Sequence, residues 1–92
     1  MEKLWIYIEG NYILYPANAR EIEIELRKAN FRKAIEIVYQ KCEKLRSIFN
    51  NVSFRKLRVE LKNVVMSKEE KYAEYVIIYK GRKVNVKLVF TS

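Results

Sequence analysis

Residues 3–15 alternate between aliphatic and other side chains with a period of two, a pattern that predicts a β-hairpin. Gly10-Asn11 has the composition of a two-residue turn that suits the twist of the flanking strands. This turn sets Ile8 opposite Ile13 and makes one face of the hairpin apolar. The opposite face then carries Trp5, Tyr7, Tyr12 and Leu14.

Residues 73–90 show the same period of two and predict a second hairpin. With Gly81-Arg82 as its loop, Tyr79 faces Val84, and every pair on that face is apolar. A slip of one residue would move lysine and asparagine into the core, so the pattern specifies which face is buried. The other face carries Val76, Ile78, Lys80, Lys83, Asn85 and Lys87.

Residues 31–49 carry apolar side chains at steps of three and four, which predicts one long amphipathic helix. Asn30 is placed to cap its start, and Asn50-Asn51 are placed to end it. Cys42 lies within the apolar stripe, which favours a buried, unreactive thiol.

Residues 20–27 permit two interpretations. Strict alternation of glutamate with Ile22, Ile24 and Leu26 favours a half-buried strand. The alternative is a helix from Ala19 to about Asn30, because an asparagine and a glutamate three residues apart resemble a capping box.

Residues 53–65 alternate again and predict a further strand, followed by a loop at Ser67–Glu70. Together these elements predict one α+β domain spanning residues 1–92. Its architecture is an antiparallel sheet, made of two β-hairpins plus one or two further strands, packed on one long amphipathic helix.

The composition excludes several kinds of chemistry. The chain of 92 residues contains no His, no Asp and a single Cys. Histidine-dependent nucleophiles, imidazole metal sites, cysteine metal clusters and internal disulfides are therefore absent. We predict no catalytic residue, no metal and no cofactor. No apolar run approaches the roughly 20 residues of a membrane helix, so we expect a cytoplasmic protein without a membrane partner.

The net charge of +8 is unevenly distributed. Residues 1–51 carry nine Lys and Arg against seven Glu, whereas residues 52–92 carry ten against four. Such a field favours anionic partners, either DNA or RNA or an acidic protein surface. We expect a nucleic-acid-binding face on the C-terminal part of the sheet, formed by Lys56, Arg58, Lys62, Lys83 and Lys87, with Arg82 at the adjoining hairpin tip. Trp5, Tyr7 and Tyr12 would add stacking surfaces if the N-terminal hairpin joined this sheet in a matching orientation.

The apolar residues Val76 and Ile78 lie on the same predicted face and support an alternative. They suit an oligomer interface, so the alternative is a homodimer or a small inhibitor or subunit without nucleic-acid activity. The excess of Ile, Tyr, Lys and Glu resembles the usage of hyperthermophiles and of small proteins from viruses of hyperthermophilic archaea, which would place the chain in a host cell.

One tripeptide resembles an enzyme motif. Glu60-Leu61-Lys62, on a predicted strand, is similar to the E-x-K half of the metal-dependent endonuclease core. The resemblance covers three residues, and the upstream Asp of that family has no counterpart in a chain without Asp. We therefore expect a binding protein rather than an enzyme.

Overall fold

Five antiparallel strands form one sheet in a computed structural model that describes all residues 1–92. The strands are β1 (Lys3–Ile8), β2 (Asn11–Leu14), β3 (Arg58–Met66), β4 (Lys71–Tyr79) and β5 (Arg82–Thr91). The helices are α1 (Ala19–Arg27), α2 (Phe31–Lys41) and α3 (Glu43–Ile48), followed by a short 3-10 helix at Phe54–Lys56. The α+β class and the antiparallel sheet agree with the prediction.

The strand order is β2-β1-β5-β4-β3, so the two ends of the chain meet in the middle of the sheet. β1 pairs with β5 over six residues, from Lys3 opposite Thr91 to Ile8 opposite Val86. Because β1 also pairs with β2, the N-terminal hairpin extends the sheet formed by the C-terminal strands.

Both hairpin registers differ from the predicted ones by two residues. The turns are Glu9-Gly10 and Lys80-Gly81, and all four residues have positive φ angles. This geometry is that of the type I′ turn, in which glycine is preferred at the second position rather than the first. Ile8 consequently pairs with Asn11, and Tyr79 pairs with Arg82. A shift of two residues leaves each side chain on its predicted face.

Residues 19–27 form a helix, so the preferred prediction of a strand is wrong and the alternative is correct. The Asn18 side chain accepts a hydrogen bond from the Arg20 amide at 2.9 Å and caps the start. Ile22 and Leu26 are buried on one side, whereas Ile24 is exposed. The alternation therefore did not mark a buried strand face, because one of its three apolar residues lies in solvent.

The predicted helix over residues 31–49 is two helices, so the prediction of one long helix is wrong. Cys42 separates them with extended φ and ψ angles of −105° and 98°. The Arg46 guanidinium donates to the carbonyl oxygens of Tyr39 and Gln40 and satisfies the end of α2. Cys42 is buried, as predicted, and the break keeps the stripe of α3 in contact with the core.

The three helices cover one face of the sheet and enclose a single hydrophobic core. Two buried tyrosines attach the helical layer to other elements through their hydroxyl groups. Tyr75 donates to the carbonyl oxygen of Phe31, and Tyr39 donates to that of Val52, each at 2.7 Å. None of the helices has the length and apolar character needed to cross a membrane.

A charged network joins α1 to the end of the sheet at which β1 and β4 begin. Lys71 Nζ lies 2.8 Å from a Glu2 carboxylate oxygen and 3.3 Å from one of Glu23, and Arg27 Nε lies 2.8 Å from Glu23. The pKa of the Glu23 carboxyl is lowered, and a hydrogen bond with Glu2 is the largest cause. Burial acts in the opposite direction and raises this pKa, whereas hydrogen bonds from Arg27 and Lys71 lower it further. The pKa falls from 4.5 to about 2.

This network predicts a specific loss of stability in acid. Because the pKa of Glu23 is lower in the folded state, the ionised carboxylate stabilises the fold fully at a pH above its ordinary pKa of 4.5. This stabilisation is lost as the pH falls towards 2. Urea titrations between about pH 5 and about pH 2 should show a smaller loss for Glu23→Gln than for the original chain. The exposed carboxylate Glu36 provides the control, and an unchanged pH dependence in Glu23→Gln would contradict the assignment.

Ala29 lies in the left-handed region with φ of 62°, immediately after Lys28, the residue that caps the C-terminal end of α1. The amide of Asn30 donates to the Glu25 carbonyl, and that of Ala29 donates to the Leu26 carbonyl, a helix-ending arrangement that favours glycine. Ala29→Gly should therefore stabilise the protein by about 0.5–1 kcal/mol in denaturant titrations. Ala34→Gly, inside α2, should act in the opposite direction by more than the ~1 kcal/mol of helix propensity, because a buried methyl group is also lost. A loss of stability in Ala29→Gly would be inconsistent with this account.

Candidate nucleic-acid interface

The sheet has one face that no helix covers, which we call the open face. Its side chains alternate with the core residues along each strand, and the pairing of the strands arranges them in rows. The first row, from β2 to β3, is Leu14, Trp5, Val89, Tyr72 and Val65. The second is Tyr12, Tyr7, Lys87, Glu74 and Asn63. The open face also includes outward side chains beyond these two rows: Lys3, Arg58, Glu60, Lys62, Val76, Ile78, Lys83, Asn85 and Thr91.

Four aromatic side chains lie on the open face. Trp5 is partly exposed, and its indole N–H donates to Thr91 Oγ1 at 3.1 Å. The rings of Tyr7 and Tyr12 lie 4.7 Å apart at 52°, and Tyr12 is 61% exposed. The N-terminal hairpin joins the sheet beside β5 in the orientation that stacking on these rings requires, with its aromatic residues on the same face as the cations. Tyr72, on β4, is an aromatic residue that the sequence reasoning missed.

Five cationic side chains share this face with two carboxylates. Lys87, on β5, lies next to Tyr7 on one side and Glu74 on the other. Its ammonium group sits over the Tyr72 ring, 4.6 Å from the centroid. Lys83 and Lys3 are exposed further along their strands. The cations therefore outnumber the carboxylates across the face.

Glu60 offsets part of the charge near β3. Its carboxylate lies 3.0 Å from the Arg58 guanidinium and 3.5 Å from the Lys62 ammonium group. Both pairs are largely exposed, so solvent weakens them and each cation keeps the ability to change partner. Lys62 sits at a bulge in β3, between Leu61 and Asn63.

A depression of about 330 Å³ lies at the centre of the open face. Aromatic rings of Tyr7 and Tyr12 form one side, and the cations Lys62 and Lys87 are among its other lining residues. Asn85 and Glu74 add polar groups that can donate or accept hydrogen bonds. Aromatic ring faces, two positive charges, one carboxylate and one neutral amide therefore meet at one place.

Two of the six predicted cations do not belong to the open face. Lys56 lies in the 3-10 helix before β3, because the strand begins only at Arg58. Arg82 occupies a core-side position at the start of β5. It donates to the Ile48 carbonyl oxygen at 3.2 Å and to Glu9 at 3.1 Å. Arg58, Lys62, Lys83 and Lys87 are brought to the same face.

The two predicted interface residues differ in accessibility. Val76 is only 8% exposed, since it lies between Glu60 and Asn85 in the neighbouring strands. Ile78, between Arg58 and Lys83, is partly exposed. Val76 therefore offers little surface to a partner. The period of two could have identified Tyr72, which has the same parity as Val76, had the predicted strand started one residue earlier.

A larger depression, about 540 Å³, lies between the N-terminal hairpin and α3. It is lined by one cation, Lys44, and shares Tyr12 with the central depression, which is lined by two cations. No group of three or more His, Cys, Asp or Glu residues is placed to hold a metal ion. Comparisons with protein-family models, curated proteins and solved structures found no match.

Proposed function

We propose that this protein binds nucleic acid on the open face. The observation that carries the proposal is the central depression, whose lining combines Tyr7 and Tyr12 with the cations Lys62 and Lys87. Cationic groups attract the phosphate backbone and release its counterions, while aromatic rings provide a surface for bases.

The outward positions of β1 support a binding role for the open face. The uncovered side of an antiparallel sheet is ordinarily polar, because its side chains contact water. Here the two central outward positions of β1 are Trp5 and Tyr7. Large, partly exposed aromatic groups in a basic protein favour a ligand that is both anionic and flat, and nucleic acid has both properties.

A second copy of the chain is the other candidate occupant. The row of Leu14, Trp5, Val89, Tyr72 and Val65 favours it, because it crosses all five strands without a charge. A symmetric pair built on this face would, however, bring two sets of five cations together. Like charges at an interface cost several kcal/mol, so the charge pattern favours a polyanion.

Binding rather than catalysis is the proposed role of Glu60-Leu61-Lys62. Glu60 and Lys62 are paired with each other, and Leu61 packs against the core. The ion pairs of Glu60 with Arg58 and Lys62 therefore belong to the charged surface, and both cations can exchange Glu60 for a phosphate.

The two lysines of the central depression should contribute directly to nucleic-acid binding. Lys62→Gln combined with Lys87→Gln should weaken nucleic-acid binding about tenfold, because two phosphate contacts are removed. The slope of log affinity against log salt should fall by about 1.5. Fluorescence anisotropy of labelled oligonucleotides, titrated at several salt concentrations, measures both quantities.

Lys28→Gln combined with Lys33→Gln is the matched control, since it removes the same charge from exposed positions at the end of α1 and on α2. Its affinity should stay close to that of the original protein. Equal weakening in both double variants would show that overall charge, and no particular face, governs binding. Sedimentation of the unliganded protein tests the competing self-association.

A substitution of Glu60 should act in the opposite direction. Glu60→Gln removes the carboxylate that neutralises Arg58 and Lys62, which frees both cations for phosphate. Binding should tighten about threefold at low salt, and the gain should shrink as salt screens the face. The same anisotropy titration measures it, and weaker binding by Glu60→Gln would argue against phosphate contact at β3.

A further inference from the structure

We infer that the ligand of the open face is an extended single strand whose bases stack on Trp5 and on the Tyr7–Tyr12 pair. The inference rests on the proposed function and adds the strandedness of the ligand and the groups that hold its bases.

The spacing of the rings indicates an unstacked chain. Trp5 and Tyr7 are two residues apart on β1 and point to the same face, so their side chains are about 6.8 Å apart along the strand. This distance is about twice the rise per nucleotide of a stacked strand, roughly 3.4 Å. Successive bases can occupy both rings only if the nucleic acid is extended and its own stacking is broken.

The rings also differ in their availability. Lys87 already covers a face of Tyr72, so that ring is shared with a cation. Tyr12 is the most exposed of the open-face aromatics that bound the depression, and it leans on Tyr7. The indole of Trp5 is held by its hydrogen bond to Thr91. The β1 and β2 half of the face therefore provides oriented stacking surfaces without a large ordering cost.

The cations lie where the backbone of such a strand would pass. β5 is adjacent to β1, about 4.8 Å away, and it carries Lys87 directly beside Tyr7. Lys83 lies further along the same strand. A single strand could therefore place its bases on the rings of β1 and its phosphates over the lysines of β5, because the two strands are neighbours in the sheet. In a duplex the bases are stacked on one another, and only their edges are accessible in the grooves. The side chains of Trp5, Tyr7 and Tyr12 would therefore have no base face to stack on.

The single tryptophan provides a direct test, because Trp5 is itself one of the proposed stacking groups. The full chain is titrated with three ligands: an oligonucleotide of about 12 nucleotides, the same strand annealed to its complement, and an abasic oligomer of equal length. Trp5 fluorescence should be quenched by the single strand alone. Anisotropy measured in parallel reports binding of all three.

Substitution of Tyr12 tests the stacking independently. Tyr12→Ala should weaken single-strand binding about tenfold, whereas Tyr12→Phe should retain it, because the ring rather than the hydroxyl contacts the base. The exposed Ile24, on α1, supplies a control, and Ile24→Ala should bind like the original protein.

The outcomes separate the two proposals. Duplex or abasic binding as tight as single-strand binding, without quenching of Trp5, would overturn the inference and leave the proposed function intact. Absence of binding to every ligand would overturn both. A concentration-dependent change in Trp5 fluorescence without ligand, with a dimer in sedimentation, would assign the face to a second copy and also overturn both.

Discussion

The pairing of β1 with β5 is the contact on which the rest of the structure depends. It joins residues 3–8 to residues 86–91 and places the two chain ends in the centre of the sheet. Without it the N-terminal hairpin would be an isolated two-stranded unit, which is marginally stable in water. With it, the apolar sides of Leu4, Ile6 and Ile8 close the core beneath the helices.

The same pairing determines what the open face contains. β1 and β2 contribute aromatic rings, and β3 and β5 contribute cations; neither half has both in quantity. Because β1 is in the register that sets Tyr7 beside Lys87, the two kinds of group meet along one line. A displacement of one residue would bury these rings among the helices and turn the core residues outward. The stability of the sheet and the composition of its outer surface are therefore consequences of one register.

The sequence specifies which side of each strand is buried, but it specifies less strictly which residues pair across neighbouring strands. A period of two survives a shift of two residues, so the faces were predicted correctly although both glycine turns were placed one position late. The pattern of residues 20–27 fits both a strand and a helix, and the folded chain distinguishes them through the Asn18 cap and the exposure of Ile24. The break at Cys42 depends on Arg46 reaching back to carbonyl groups of α2, a contact that hydrophobic spacing does not encode. Lys56 is the predicted cation that leaves the face, because a 3-10 helix precedes β3 and the strand begins only at Arg58.

The bulge in β3 has a consequence for how copies of the chain behave at high concentration. β3 is nine residues long and lies at the edge of the sheet, where unpaired backbone groups can recruit a strand from another molecule. The extra residue interrupts the regular ladder, and Arg58 and Lys62 flank Glu60 on the outward side. β2, at the other edge, has only four residues. Both borders of the sheet thus resist the addition of foreign strands, which protects a β-rich chain from fibril-like aggregation.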